Sequence, residues 1–326
     1  MIELNRILCP VDFSPFSEHA LHYAVKIAKW SGATVHVLHV FPMLPPSTAN
    51  QVAAGSRALA AKHFDEMVAR HQLPGVQIEC EIVESGETAP RILERAAALN
   101  VDLIVAGSHG RTGIQRVLLG SVVEGLLHQS RAPLLVVPSH ADLAVLEADD
   151  VFERVVCAVD FSDASLAALA LAFAVTEEAD GILTLLHVVE LSPDITLRTH
   201  DENYEVEQVR AEAEAVALTK LRALIPEHAR DYCRVKTEVI AGGASRQILR
   251  VAEAEGANLI VLGVHGRNVF DLAFFGSNAK DAVRQAHCPV LVVPLLTPAR
   301  HSRPVRSAAN AIFSQGAGET SCQPLL

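Results

Sequence analysis

The chain is poor in aromatic residues: Phe, Trp and Tyr make up 5% of its 326 residues, with one Trp and three Tyr. A core with so few large rings must be built from Ala, Val, Leu and Ile, as in a parallel sheet covered on both faces by helices. Basic charge is also short. Against 38 Asp and Glu stand 27 Lys and Arg, a formal net charge of −11. That balance argues against nucleic-acid binding, which needs a basic face to displace counterions from phosphates. No apolar run approaches the roughly 18 residues of a membrane span. The opening MIELNRILCPVD runs straight into a strand without a signal-peptide pattern, so a cytoplasmic location and no membrane partner are expected. The six cysteines (Cys9, Cys80, Cys157, Cys233, Cys288, Cys322) contain no C-x-x-C pair. Buried, reduced thiols are expected, with no metal centre and no disulfide framework.

Several nucleotide and hydrolase signatures are missing as well. There is no G-x-x-x-x-G-K-[ST] loop, so the chain is not a P-loop NTPase. The Gly-x-Gly-x-x-Gly dinucleotide fingerprint is absent after the first strand, which reads CPVDFS, and no nucleophile elbow or Ser-Gly-Gly-x-Asp loop occurs.

What the chain does have is one pattern written twice. GSHGRTGIQRVLLGS spans Gly107 to Ser121 and GVHGRNVFDLAFFGS spans Gly263 to Ser277. Both read Gly, two residues, Gly, nine residues, Gly-Ser, and the copies lie 156 residues apart. The repeat extends beyond the glycines. RILCPVDFS at 6–14 matches RVVCAVDFS at 154–162 with an offset of 148, and APLLVVP at 132–138 matches CPVLVVP at 288–294 with an offset of 156. An eight-residue insertion therefore falls between His187 and Gly242. Apolar runs of four to six residues alternate with helical segments in each half, which indicates two duplicated, doubly wound α/β units with parallel sheets. In the first half, strands are expected over 6–11, 34–40, 77–83, 102–106 and 134–138. Helices are expected near 17–30, 55–71, 91–99 and 120–129, with Ser14 capping the first and Pro15 at its first position. The division is residues 1–140, a linker at 141–150, residues 151–296, and a tail at 297–326 that is rich in Pro, Ser, Gly and Arg and is expected to hold little fixed structure.

The repeated pattern suits phosphate. Glycines at a strand end let backbone N–H groups approach a ligand without a Cβ in the way. The Gly-Ser then opens a helix, whose N-terminal N–H groups and partial positive charge favour anions. Ser121 and Ser277 can add hydroxyl donors, and Arg111 and Arg267 can reach outer phosphate oxygens. Asp12 and Asp160 follow the first strand of each half, where open α/β sheets bind their ligands. Such a carboxylate can accept from an adenine amino group or a ribose hydroxyl, or it can cap the turn that follows. His39-Val40 and His187-Val188 end the second strands, where a valine backbone can meet a base edge and the histidines can support the strand end. His109 and His265 lie inside the glycine loops, either as general bases or as donors to phosphate; no paired carboxylate accompanies them in the sequence.

The chain resembles the universal stress protein family in its tandem two-domain form. The resemblance rests on V-D-F-S after the first strand, H-V ending the second, and G-x-x-G-x9-G-S followed by an apolar strand and V-V-P, across both halves. In the ATP-binding branch of that family the glycine motif holds the triphosphate and the first-strand Asp contacts the adenosine. The resemblance then implies Asp12, Val40, Gly107, Gly110, Gly120, Ser121 and Val122 in a first site, and Asp160, Val188, Gly263, Gly266, Gly276, Ser277 and Asn278 in a second. Asn278 and Ala279 stand where the first copy has Val122 and Val123. The last strands are expected to pair, so that two five-stranded parallel-sheet domains form an internal pseudo-dimer; a homodimer of the tandem chain is a further expectation. The function this implies is ATP binding, with Mg accompanying the nucleotide, in stress-response regulation without fast turnover and without catalytic residues. The alternatives are a slow Mg-dependent ATPase or phosphotransferase using His109 or His265, and a nucleotide-free scaffold that binds a partner or an apolar ligand.

Overall fold

The computed structural model of the chain describes residues 4–42, 49–110, 119–139, 141, 152–190, 203–227, 229, 233–264 and 277–295. The linker after residue 141 and the tail from 297 lie outside the described residues. The first half runs β1 (Arg6–Pro10), α1 (Pro15–Ser31), β2 (Thr34–Pro42), α2 (Ala49–His71), β3 (Gln77–Ser85), α3 (Thr88–Leu99), β4 (Leu103–Gly107), α4 (Ser121–Gln129) and β5 (Leu134–Val137). The second runs β6 (Arg154–Ala158), α5 (Asp163–Glu178), β7 (Ile182–Val189), α6 (Asn203–Ala223), β8 (Arg234–Ala241), α7 (Ala244–Ala254), β9 (Leu259–Val264), α8 (Ser277–Gln285) and β10 (Val290–Pro294).

The ten strands among the described residues form one sheet in the order β3-β2-β1-β4-β5-β10-β9-β6-β7-β8. Every neighbouring pair is parallel except β5 and β10, which meet antiparallel. Their register sets Leu135 opposite Leu291, Leu134 opposite Val292 and Val136 opposite Val290. Leu135 and Leu291 are equivalent in the 156-residue repeat, so a pseudo-two-fold axis passes between them. The expected internal pseudo-dimer is therefore one continuous sheet.

Strand residues alternate between two buried clusters, as the two-residue period of a strand requires. Ile7, Cys9 and Val11 face the helices α1, α2, α5 and α6, while Leu8, Ile104 and Val136 face α3, α4, α7 and α8. Each cluster runs through both halves, giving three layers with helices on both faces.

The helix starts show local chemistry at work. Ser14 caps α1, its hydroxyl accepting from the Ser17 N–H at 3.3 Å, with Pro15 as the first helical residue. Ser162 does the same for α5 through Ser165. Two helices begin earlier than expected. α2 starts at Ala49 rather than near Gly55, because alanines carry the helix past a glycine that costs only about 1 kcal/mol. α3 starts at Thr88, since Pro90 lies in the first turn, where no N–H is needed. The extra eight residues of the second half are split between two connections. Thirteen residues join β7 to α6 where six join β2 to α2, and ten join α6 to β8 where five join α2 to β3, offset by slightly shorter elements.

Candidate functional site

The chain lays down β1, moves outward to β2 and β3, and returns to place β4 on the other side of β1. The carboxyl ends of β1 and β4 thus flank a switch point in strand order, where open α/β sheets bind ligands. Asp12 follows β1 and Gly107 closes β4. In the second half Asp160 and Gly263 flank the same gap between β6 and β9.

Asp12 organises the turn it stands in. Its Oδ1 accepts from the Ser14 N–H at 3.0 Å and the Ser14 hydroxyl at 2.6 Å, and its own N–H donates to Ser17 Oγ at 3.3 Å. Asp160 repeats this with Ser162 at 2.9 and 2.5 Å and with Ser165 at 3.3 Å. The turn-capping role is therefore real for both carboxylates. Asp12 is half-buried and Asp160 is exposed. Between each Asp and Ser the chain passes through a left-handed residue, Phe13 at φ 62° and Phe161 at φ 63°. A non-glycine residue there costs of order 1–2 kcal/mol. Ring packing offsets it: Phe13 lies 4.5 Å from the His39 ring and 5.2 Å from Phe64, and Phe161 lies 4.7 Å from His187. His39 and His187 each hold the strand end through Nδ1, 2.7 Å from the carbonyl oxygens of Val11 and Val159. The two phenylalanines were missed as site-shaping residues. Their only sequence signal is the D-F-S triplet repeated in both halves.

The glycines divide into two kinds. A Cβ on Gly107 would stand 2.7 Å from the Phe16 carbonyl oxygen, and one on Gly263 would run into the Ala164 carbonyl group. These first glycines let the strand end pack against the first turn of α1 or α5, so their bare face meets protein backbone rather than a ligand. Gly110 differs: its Cβ would lie 2.7 Å from Asp12 Oδ2. Gly120 closes the loop, its N–H donating to the Ser108 carbonyl oxygen at 2.9 Å; a Cβ there would stand 3.3 Å from that oxygen and 3.8 Å from the Gly110 nitrogen. Asp12, Gly110 and Gly120 thus converge in one place. Gly120 is also the N-cap of α4 and supplies no side-chain cap to its first-turn N–H groups. Ser121 opens the helix, exposed, while Val122 and Val40 border the same buried cluster.

His109 sits within this loop with Nδ1 2.9 Å from the Ser108 hydroxyl, and its buried Nε2 has no hydrogen-bond partner among the described residues. In the second half Val188 lies in β7, and Ser277 and Asn278 begin α8. Arg111, Gly266, Arg267 and Gly276, with His265, lie outside the described residues. Among the described residues no group of three or more His, Cys, Asp or Glu side chains could hold a metal. An apolar cavity lined by Leu4, Ile27, Trp30, Leu135, Phe152 and Leu291 opens at the amino ends of the strands, away from this chemistry. No helix among the described residues is long and apolar enough to cross a membrane. Of the cysteines, Cys9, Cys157 and Cys233 are buried as expected, whereas Cys80 is exposed on the edge strand β3.

Comparison with known proteins bears on this geometry. The family model of the universal stress protein family matches residues 3–138 and again 152–294. A universal stress protein of Mycolicibacterium smegmatis is 28% identical over 301 residues, covering 88% of this chain and 96% of its own length. One of Methanocaldococcus jannaschii is 30% identical over 145 residues, 44% of this chain and 84% of its own. The crystal structure of a universal stress protein from Archaeoglobus fulgidus DSM 4304 superposes with a TM-score of 0.65 at 22% identity, covering 90% of this chain and 99% of that one. This last likeness concerns the fold.

Proposed function

The chain belongs to the universal stress protein family, and from that premise we propose that it binds ATP at the β1/β4 switch point and acts in stress response through nucleotide occupancy rather than rapid turnover. The observation that carries this reading is the convergence of Asp12, Gly110 and Gly120 in front of a helix N-terminus without a side-chain cap. A phosphate group suits that end of α4, where free N–H groups and the helix dipole meet it. The adenosine would lie toward Asp12 and Val40, and Ser121 and Val122 would present the phosphate-binding N–H groups at the turn that Gly120 opens. Arg111 would reach the outer phosphates. By sequence the second half offers the equivalent set of Asp160, Val188, Gly266, Arg267, Gly276, Ser277 and Asn278, with Gly263, like Gly107 on α1, seating the strand end on α5. Magnesium would be carried by the phosphate oxygens of the nucleotide.

Turnover is not part of the proposal. The ring partner of His109 is a hydroxyl, and among the described residues no carboxylate orients the imidazole as a base. Occupancy alone has thermodynamic weight. A micromolar site corresponds to about −8 kcal/mol. At ATP a thousandfold above that Kd, binding stabilises the fold by about 4 kcal/mol. Isothermal titration of the full chain with Mg-ATP tests the reading. Saturable heat with at least one site per chain is the expected result; no binding at millimolar ATP would sink it.

A further inference from the structure

The helices α4 and α8 are equivalent elements, each opened by the Gly-Ser of the repeated motif. Val123, Leu126 and Leu127 of α4 and Ala282, Val283 and Ala286 of α8 belong to one buried cluster. On the solvent side Glu124 and Lys280 form an ion pair between them, each about two-fifths exposed. The two positions are 156 residues apart and so are themselves equivalent. In a symmetric pair of identical domains this position would face its own copy, carboxylate to carboxylate or ammonium to ammonium. The tandem chain places one of each.

Glu124 belongs to the first turn of α4. Helical side chains lean toward the N-terminus and cover the turn before their own Cα. For Glu124 that turn begins at Gly120, whose carbonyl oxygen accepts the Glu124 N–H at 2.9 Å. The hydrogen bond from Lys280 holds the Glu124 carboxyl below its usual range, against the opposing effect of burial. An unpaired carboxylate there would repel a phosphate group one helical turn away, a span of about 5.4 Å. Screening acts over about 8 Å at physiological salt, so the repulsion would be felt.

We propose that Lys280, a residue of the second half, completes the phosphate cradle of the first half by neutralising Glu124 beside a polyphosphate at the N-terminus of α4. The proposal rests on the nucleotide reading above. It makes the first site a composite of both halves and gives Lys280 a positioning role tied to phosphate charge. The probes are ATP and adenosine, titrated into the full chain carrying Gly276→Val, so that only the first motif is open. In that background Lys280→Gln is expected to weaken ATP by about three- to tenfold and adenosine by less than about twofold, because only the phosphates sense the charge. Adding Glu124→Gln should return ATP to within about twofold of the starting affinity, since the repelling carboxylate is gone. An exposed pair adds little to folding stability, and circular dichroism of each variant checks that the fold is kept. Unchanged ATP affinity in Lys280→Gln, or an equal loss for ATP and adenosine, overturns the proposal while leaving the nucleotide reading intact. No ATP binding even without the substitutions overturns both.

Discussion

Gly107 and Gly110 lie three positions apart, yet a methyl group added to each meets a different obstacle. At Gly107 it meets the Phe16 backbone, which cannot move without shifting α1. Overpacking of this kind costs about 1–3 kcal/mol. At Gly110 it meets the Asp12 carboxylate, a side-chain end that can rotate. Gly107→Ala is therefore expected to lower the unfolding free energy markedly, while Gly110→Ala keeps most of the stability and loses ATP binding. Urea titrations paired with binding isotherms check this; equal stability losses in the two variants would contradict it. The sequence made all six motif glycines look alike, because a residue type does not say whether its bare face meets ligand or protein. Ser14 was legible as a cap because the rule is local. The left-handed Phe13 was not, because its strain is offset by His39 and Phe64, which are distant in sequence.

At the scale of elements, α1 and α2 meet through histidines. The His22 and His71 rings lie 5.4 Å apart, near Glu18, His19, Lys26 and Arg70. Burial first, then the neighbouring positive groups, push His22 below its usual value of 6.5. Burial also lowers His71, against the pull of Glu18. The folded chain thus takes up these protons later than the unfolded chain does. Above about pH 6.5 both states hold neutral rings and nothing is lost. As pH falls below that value the unfolded state is protonated first, so stability drops until the lowered folded values are reached. The thermal midpoint should fall between pH 7.5 and pH 5.5, and less steeply in His22→Gln/His71→Gln; the same slope in both proteins would refute this. Most elements were legible from apolar period and caps. The early start of α2 was not, since a glycine inside an alanine-rich run reads as a break although its cost is small.

At the scale of the molecule, the ten-stranded sheet and its two clusters pass through both halves without interruption. The halves should therefore unfold together. A single calorimetric transition, with van't Hoff and calorimetric enthalpies in agreement, is expected for the full chain; two resolved transitions would mean the β5–β10 seam couples them weakly. That seam was not legible from residue pattern, because LLVV and VLVVP are equally apolar beside any strand. The family resemblance supplied it, and the register through Leu135 and Leu291 bears it out. The first glycine motif carries the proposed function in the same way: the switch point beside it follows from strand order, and the proposed ligand rests on the convergence of Asp12, Gly110 and Gly120. Gly120→Val probes that claim most directly. The backbone there suits a β-branched residue, and a Cβ would stand 3.3 Å from the Ser108 carbonyl oxygen, a close contact that the loop must relieve by a few tenths of an ångström, so urea titration of the variant accompanies the binding measurement. Calorimetric titration with Mg-ATP should then show the loss of one site relative to wild type. Undiminished stoichiometry and affinity in Gly120→Val would place the nucleotide elsewhere and contradict the account.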